Sequence, residues 1–295
     1  MLARYHLPGL FEFYELYRRF LPLFRTHREY FYDWCDIGSL YGAPADCLWG
    51  GGRVSVSDTR AKDAFALAVE YNISARLTFS NSLLTKEQLS DSKCNSLCER
   101  LARLTPRSGV IVHSELLTEH LRANFPSLYL ISSTTKVLTE FEALKKELDR
   151  SEFEFVVPDF RFNPQIEKLV SLTPKQKHKT ELLVNECCYF GCADRKRCYE
   201  SVSRKNLGID DGFTCRAPNA EKGYSFSLAM QNPGFISVDK IQSTYMPMGF
   251  SEYKIEGRSL GSALVLEMLL YYMVKPENHL KVREEIYLDS MLDLF

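Results

Sequence analysis

A chain of 295 residues with 45% apolar and 25% charged side chains can bury one substantial core, so a single large domain is the default expectation. Lysine and arginine (37) nearly balance aspartate and glutamate (38), which excludes a broadly basic nucleic-acid coat and an acidic solvating tail. Aromatic residues at 13%, with no low-complexity stretch, argue against disorder.

The opening MLARYHLPGLFEFYELYRRF carries Glu12, Glu15, Arg18 and Arg19 where a signal peptide needs an apolar core. Residues 1–33 are therefore expected to form an aromatic helical arm. Its Leu10, Phe11, Phe13, Tyr14, Tyr17 and Phe20 present a face that must be covered, either by closing one end of the fold or by meeting a hetero- or homodimer partner.

From residue 34 onward, apolar β-rich runs alternate with amphipathic stretches. Strands are predicted at 34–40, 74–80, 109–113, 128–132, 153–157, 180–185 and 251–256. Helices fit at 59–71, 85–104, 115–124, 138–149, 164–171, 238–248 and 260–273, the first with Asp58 as N-cap. Seven such units over residues 34–275 predict an α/β fold, a TIM-like (β/α) barrel with irregular or incomplete closure, followed by a tail at 276–295. An open doubly wound sheet is the alternative, but no Gly-x-Gly-x-x-Gly follows the first strand. The loop CLWGGGR (47–53) could bring backbone amides to an anion, yet lacks the Lys-Ser/Thr of a P-loop. The most apolar late run, Leu260 to Val274, is interrupted by Glu267 and too short for a bilayer of about 30 Å. A cytoplasmic chain without a membrane span is expected, its nine cysteines reduced.

Residues 187–235 break the alternation as a Cys-rich insertion before the last strand. Cys187, Cys188, Cys192, Cys198 and Cys215, five of the nine cysteines, fall within 29 residues. Taking Cys188 as first ligand gives Cys-x3-Cys-x5-Cys-x16-Cys, four soft donors suited to an iron–sulfur cluster or to zinc. Only the first pair is tight, which favours a [4Fe–4S] cluster over the paired knuckles of structural zinc. Buried free thiols are the bland alternative, and Cys187 could replace Cys188. Cys35, Cys47, Cys94 and Cys98 are expected to pack. A radical S-adenosylmethionine motif would need cysteine at 195, where Arg195 stands.

Barrel active sites are built at the C-terminal ends of the strands. The polar residues there are Tyr41, Ser80, Asn81, His113, Ser132, Ser133, Asp159, Arg161, Asn163, Asn185, Glu186, Glu256 and Arg258. In SEYKIEGRS the period of two puts Lys254 and Glu256 on one face, where charges pointing inward must pair. Gly257 permits a tight turn, and Arg258 offers a planar donor to a carboxylate or phosphate.

The run Lys254-Ile255-Glu256-Gly257-Arg258, with four spread cysteines after a late strand, resembles the U32 peptidase-like family. The resemblance implies a barrel holding an oxygen-labile [4Fe–4S] cluster on Cys188, Cys192, Cys198 and Cys215. It also implies a role in oxygen-independent hydroxylation of ubiquinone, transfer RNA or ribosomal RNA, in some members as a heterodimer. The segment GVIVHSELLTEH lacks the Gly- and Cys-rich signature of the members known as peptidases, and no Ser/His/Asp order replaces it. The expected function is therefore a redox modification of a small molecule or a modified residue or base, with Lys254, Glu256, Arg258, His113 and Asp159 lining the mouth and an unspecified electron donor. A zinc- or cluster-stabilised accessory subunit is the rival expectation; a peptidase or a radical S-adenosylmethionine-like enzyme stands further off.

Overall fold

The computed structural model describes residues 2–51, 61–218 and 220–292. Asp58, and Gly52 and Arg53 of the triglycine loop, lie outside the described residues.

The chain runs β1 (Ala3–Pro8), α1 (Tyr14–Thr26), β2 (Cys35–Gly42), α2 (Ala61–Glu70), β3 (Ser74–Phe79), α3 (Ser92–Ala102), β4 (Gly109–Val112), α4 (Glu115–Asn124), β5 (Tyr129–Ser132), α5 (Phe141–Asp149) and β6 (Phe153–Val156). It continues through α6 (Ile166–Val170), α7 (Pro174–Lys179), β7 (Glu181–Leu183), α8 (Arg195–Asn206), α9 (Phe226–Met230), α10 (Val238–Lys240), β8 (Glu252–Lys254), α11 (Ser262–Met273) and α12 (His279–Leu292). Eight strands pair in the order β6-β5-β4-β3-β2-β1-β8-β7, every pair parallel. Among the described residues the two edge strands meet only at the bridge Val156–Thr180, so the structure is a TIM-like barrel with an unsealed seam.

All seven predicted strands are present, and the eighth corrects the reading of the first residues as helical. ARYHLP alternates Ala3, Tyr5 and Leu7 toward the outer helices with Arg4 and His6 toward the interior, and it pairs with both β2 and β8. The aromatic face after it is covered by the chain itself: Leu10, Phe11, Phe13, Tyr17 and Phe20 are buried in the main core, with Tyr14 packed at its edge.

Local chemistry sets the helix starts. Ser114 accepts from the Leu117 amide at the head of α4, and Asp91 accepts from Cys94 at the head of α3. Thr173 and Gln176 form a capping box on α7, with Pro174 in its first turn. The larger core lies between the strands and the helices, whereas Tyr41, Ile111, Tyr129, Ile131, Phe155 and Leu183 form a second one inside the barrel. A register shift between β5 and β6 turns Phe153 outward and Phe155 inward. No helix among the described residues is long and apolar enough to cross a membrane.

Candidate active site and cysteine cavity

The barrel floor is a connected ionic cluster. Glu252 on β8 accepts from Arg4 and, through Oε2, lies 3.0 Å from His6 Nε2; His6 Nδ1 meets Ser39 at 2.9 Å. Glu181, fully buried at the start of β7, accepts from Arg76 Nη1 at 2.5 Å and from Lys254 Nζ at 2.9 Å. Arg76 also donates to the Tyr129 hydroxyl at 2.8 Å. These neighbours outweigh burial and hold both carboxyls down, Glu252 at about 2. His6 is held down by burial and by Arg76, so it stays neutral. Lys254 therefore pairs with Glu181, a residue at the far end of its strand from the expected site, and not with Glu256.

Above this floor opens a small cavity of about 40 Å3. Lys254, Glu256 and Arg258 all line it, together with Tyr41, Thr78, Ile111, Ser133, Thr134, Leu183, Glu186 and Tyr199. Burial lowers Lys254 to about 8 against the pull of Glu181, with Arg76 adding to the fall; the ammonium rests 3.6 Å from the Tyr41 ring centre. The Asn185 amide grips the Glu256 backbone from both sides, accepting from its N–H at 2.7 Å and donating to its carbonyl at 2.9 Å. Gly257 is required here, because a Cβ would fall 2.7 Å from Pro8 and 2.9 Å from Val265.

His113 lies just past β4 and reaches the cavity wall through Thr135, whose Oγ1 is 2.8 Å from its Nδ1. Burial, then Lys136 and Lys196, lower it to about 4, so it is neutral near pH 7. Asp159 does not face the mouth. It accepts from Arg161 through both oxygens, at 2.6 and 2.9 Å, and lies 3.4 Å from Arg195 Nε. Its role is to brace the cysteine segment: Arg161 donates onward to the Cys192 carbonyl at 3.1 Å. Ser132 points outward to Glu147, and Asn163 ties β7 to the Gly234 loop.

Cys188, Cys192, Cys198 and Cys215 line a further cavity of about 60 Å3, with Glu186, Arg195, Tyr199 and Phe213. Cys188 and Cys192 come from the loop after β7, Cys198 from α8, and Cys215 from the extended chain beyond it. Among the described residues, no three Cys, His, Asp or Glu side chains meet as a single-ion site. Arg195 is buried in the wall, stacked on Phe160 and Tyr199, and donates to Glu186 at 2.7 Å; Glu186 in turn accepts from the Cys188 amide at 2.9 Å. Burial pushes the Cys188 thiol up to about 12, Arg195 opposing and Glu186 adding. Cys187 is raised too, by burial first, and does not line this cavity. The donor set fits a thiolate-held group: four sulfurs around one space, with a guanidinium beside them to offset charge.

Helix α8 holds the two cavities together, and nothing in its apolar pattern announced it. RKRCYESVSRKN has almost no hydrophobic stripe and is fastened by polar contacts instead. Asn206 donates to the carbonyls of Cys47, Leu48 and Gly50 at 2.9–3.1 Å, and Ser203 receives Asn81 and Ser82. Cys35, Cys47, Cys94 and Cys98 are buried elsewhere.

No family model matches this chain, and no curated protein matches it. A solved structure of a U32 peptidase superposes over 87% of this chain and 94% of its own, with a TM-score of 0.52 and 16% sequence identity. At that identity the likeness speaks for the fold. The chain has the U32 peptidase-like fold.

Proposed function

We propose that this protein is an iron–sulfur barrel of the U32 type that performs or supports an oxygen-independent redox modification, of the hydroxylation kind, on a ligand held in the barrel mouth. One observation carries the reading: Glu186 and Tyr199 line both the cysteine cavity and the mouth cavity, so a bound ligand lies one side chain from the thiols. Cys188, Cys192, Cys198 and Cys215 would hold a [4Fe–4S] cluster, which supplies one-electron transfer when bound. Four sulfurs that line one cavity without three of them meeting as a single-ion site suit a polynuclear group better than a lone tetrahedral zinc, whose thiolates would all lie about 2.3 Å from one point. Lys254 and Arg258 hold and orient the ligand, Tyr41 and Tyr199 wall it from water, and neutral His113 sets Thr135 in the wall. Asp159 and Arg195 keep the cysteine loop in register.

Absorption and electron paramagnetic resonance spectra of anaerobically purified protein test this directly. A broad visible band that bleaches on reduction and gives a paramagnetic signal is expected. A colourless protein carrying stoichiometric zinc supports the accessory-subunit alternative and overturns the redox reading.

A further inference from the structure

We propose that Arg195 sets the electron affinity of the group held by Cys188, Cys192, Cys198 and Cys215, its buried positive charge favouring the reduced form. This deepens the reading above and rests on a cluster occupying the cysteine cavity.

Helix stability does not explain a cation at this position. Arg195 opens α8, whose first turn carries no acidic residue, at the end where the helix dipole disfavours positive charge. The side chain is nevertheless only 3% exposed, and a buried charge is costly unless it is paired. The charged residues lining the cysteine cavity are Glu186, Asp194, Arg195 and Arg216. Asp194 and Arg216 are exposed, where water screens them. Among the described residues, Arg195 is thus the buried cation of this wall and Glu186 its buried anion, in contact at 2.7 Å.

Behind this pair stands Asp159, gripped through both oxygens by Arg161 and 3.4 Å from Arg195 Nε. Two guanidiniums therefore face two carboxylates, and removing either charge of the inner pair leaves the other uncompensated beside the sulfurs. Arg195 acts on those sulfurs directly, since it opposes the rise that burial imposes on the Cys188 thiol. One electron arriving from a low-potential one-electron donor lowers the charge in the cavity by one, with no bond made or broken and no proton moved. In a buried site a fixed cation favours that gain and a fixed anion opposes it. Arg195 and Glu186 must then act with opposite signs.

The test is a potentiometric titration of the anaerobically purified, iron-loaded full chain, followed by electron paramagnetic resonance with dithionite as the donor. At the poise that half-reduces the parent, Arg195→Met is expected to lower the reduced-to-oxidised ratio at least about tenfold, a midpoint about 59 mV lower. Glu186→Gln, which keeps an oxygen for the Cys188 amide, is expected to raise that ratio by a similar factor. The double variant Arg195→Met/Glu186→Gln should return to within about threefold of the parent. Lys205→Met, which removes an exposed cation further along α8, should leave the midpoint in place. Loosened packing gives a different pattern, because it admits water and moves both single variants the same way. Shifts of one sign in both single variants, or midpoints equal to the parent's, overturn the inference and leave the cluster reading standing. Should Arg195→Met fail to fold, the same charge is read as the fall from Glu186→Gln to the double variant, and no fall overturns the inference. A parent that takes up no iron sinks the cluster reading and this inference with it.

Discussion

Beneath the mouth, the charges of the barrel interior answer one another through direct contacts, Arg4 with Glu252 and Arg76 and Lys254 with Glu181, and neutral His6 hydrogen-bonds to Glu252. Above it, the cysteine segment is held by a few polar side chains reaching backbone carbonyls, and four of its cysteines line one cavity. Both regions bring polar groups into the protein, but the floor joins its charges side chain to side chain and the cysteine segment does not. Ion pairs that answer one another across strands hold a barrel interior together, whereas thiols gathered in a loop segment leave the fold of the barrel itself untouched.

The largest effect should come from breaking the floor. Glu181→Gln leaves two buried cations without their shared anion and is expected to cost about 3–5 kcal/mol, measured by urea unfolding. A loss below about 1 kcal/mol would show the cluster to be solvated rather than buried.

Acid should unmake the same region in a defined window. Glu252 is held near 2 in the fold and returns to its ordinary value on unfolding, so its contribution is present above about pH 4.5 and lost as pH falls toward 2. Neutral His113 acts at milder pH. Its folded value near 4 means the unfolded chain takes up a proton first, so stability declines from about pH 6.5 down to 4. His113→Gln should flatten that upper part of the acid limb by on the order of 1 kcal/mol and leave the Glu252 part unchanged.

Gly257→Ala forces a methyl group against Pro8 and Val265 and should lower stability by about 1–3 kcal/mol. Calorimetry measures it, and a neutral result would show that the turn can shift. Asn206→Ala, which frees three carbonyls around Cys47, should cost about 1 kcal/mol of local stability and hasten proteolysis within α8 before global unfolding.

The contrast between the regions also explains what could be read in the sequence. Strands such as GVIV and FEFV are apolar enough to declare themselves, and the KIEGR run placed Lys254, Glu256 and Arg258 around one cavity. The strand ARYHLP did not declare itself, because its inward Arg4 and His6 are tolerable only beside Glu252 and Glu181, more than 170 positions away. Glu181 was passed over because it sits at the start of its strand, below the end where barrel chemistry is expected. Asp159 stood at the right strand end, but its partner Arg161 turns it toward the cysteine loop. Helix α8 hid for the opposite reason to the strands: its seat is polar, and the apolar period that reveals helices is nearly absent. The cysteine spacing was legible as a cluster of donors, whereas the shared wall of Glu186 and Tyr199 belongs to the fold alone.

The most direct measurement is iron and acid-labile sulfide per chain in anaerobically purified protein, compared across Cys188→Ser, Cys192→Ser, Cys198→Ser, Cys215→Ser and the control Cys94→Ser. Roughly four iron and four sulfide are expected in the parent and in the control, with more than half of both lost in each of the other four. Iron retained in all four variants, or absent from the parent, would contradict it.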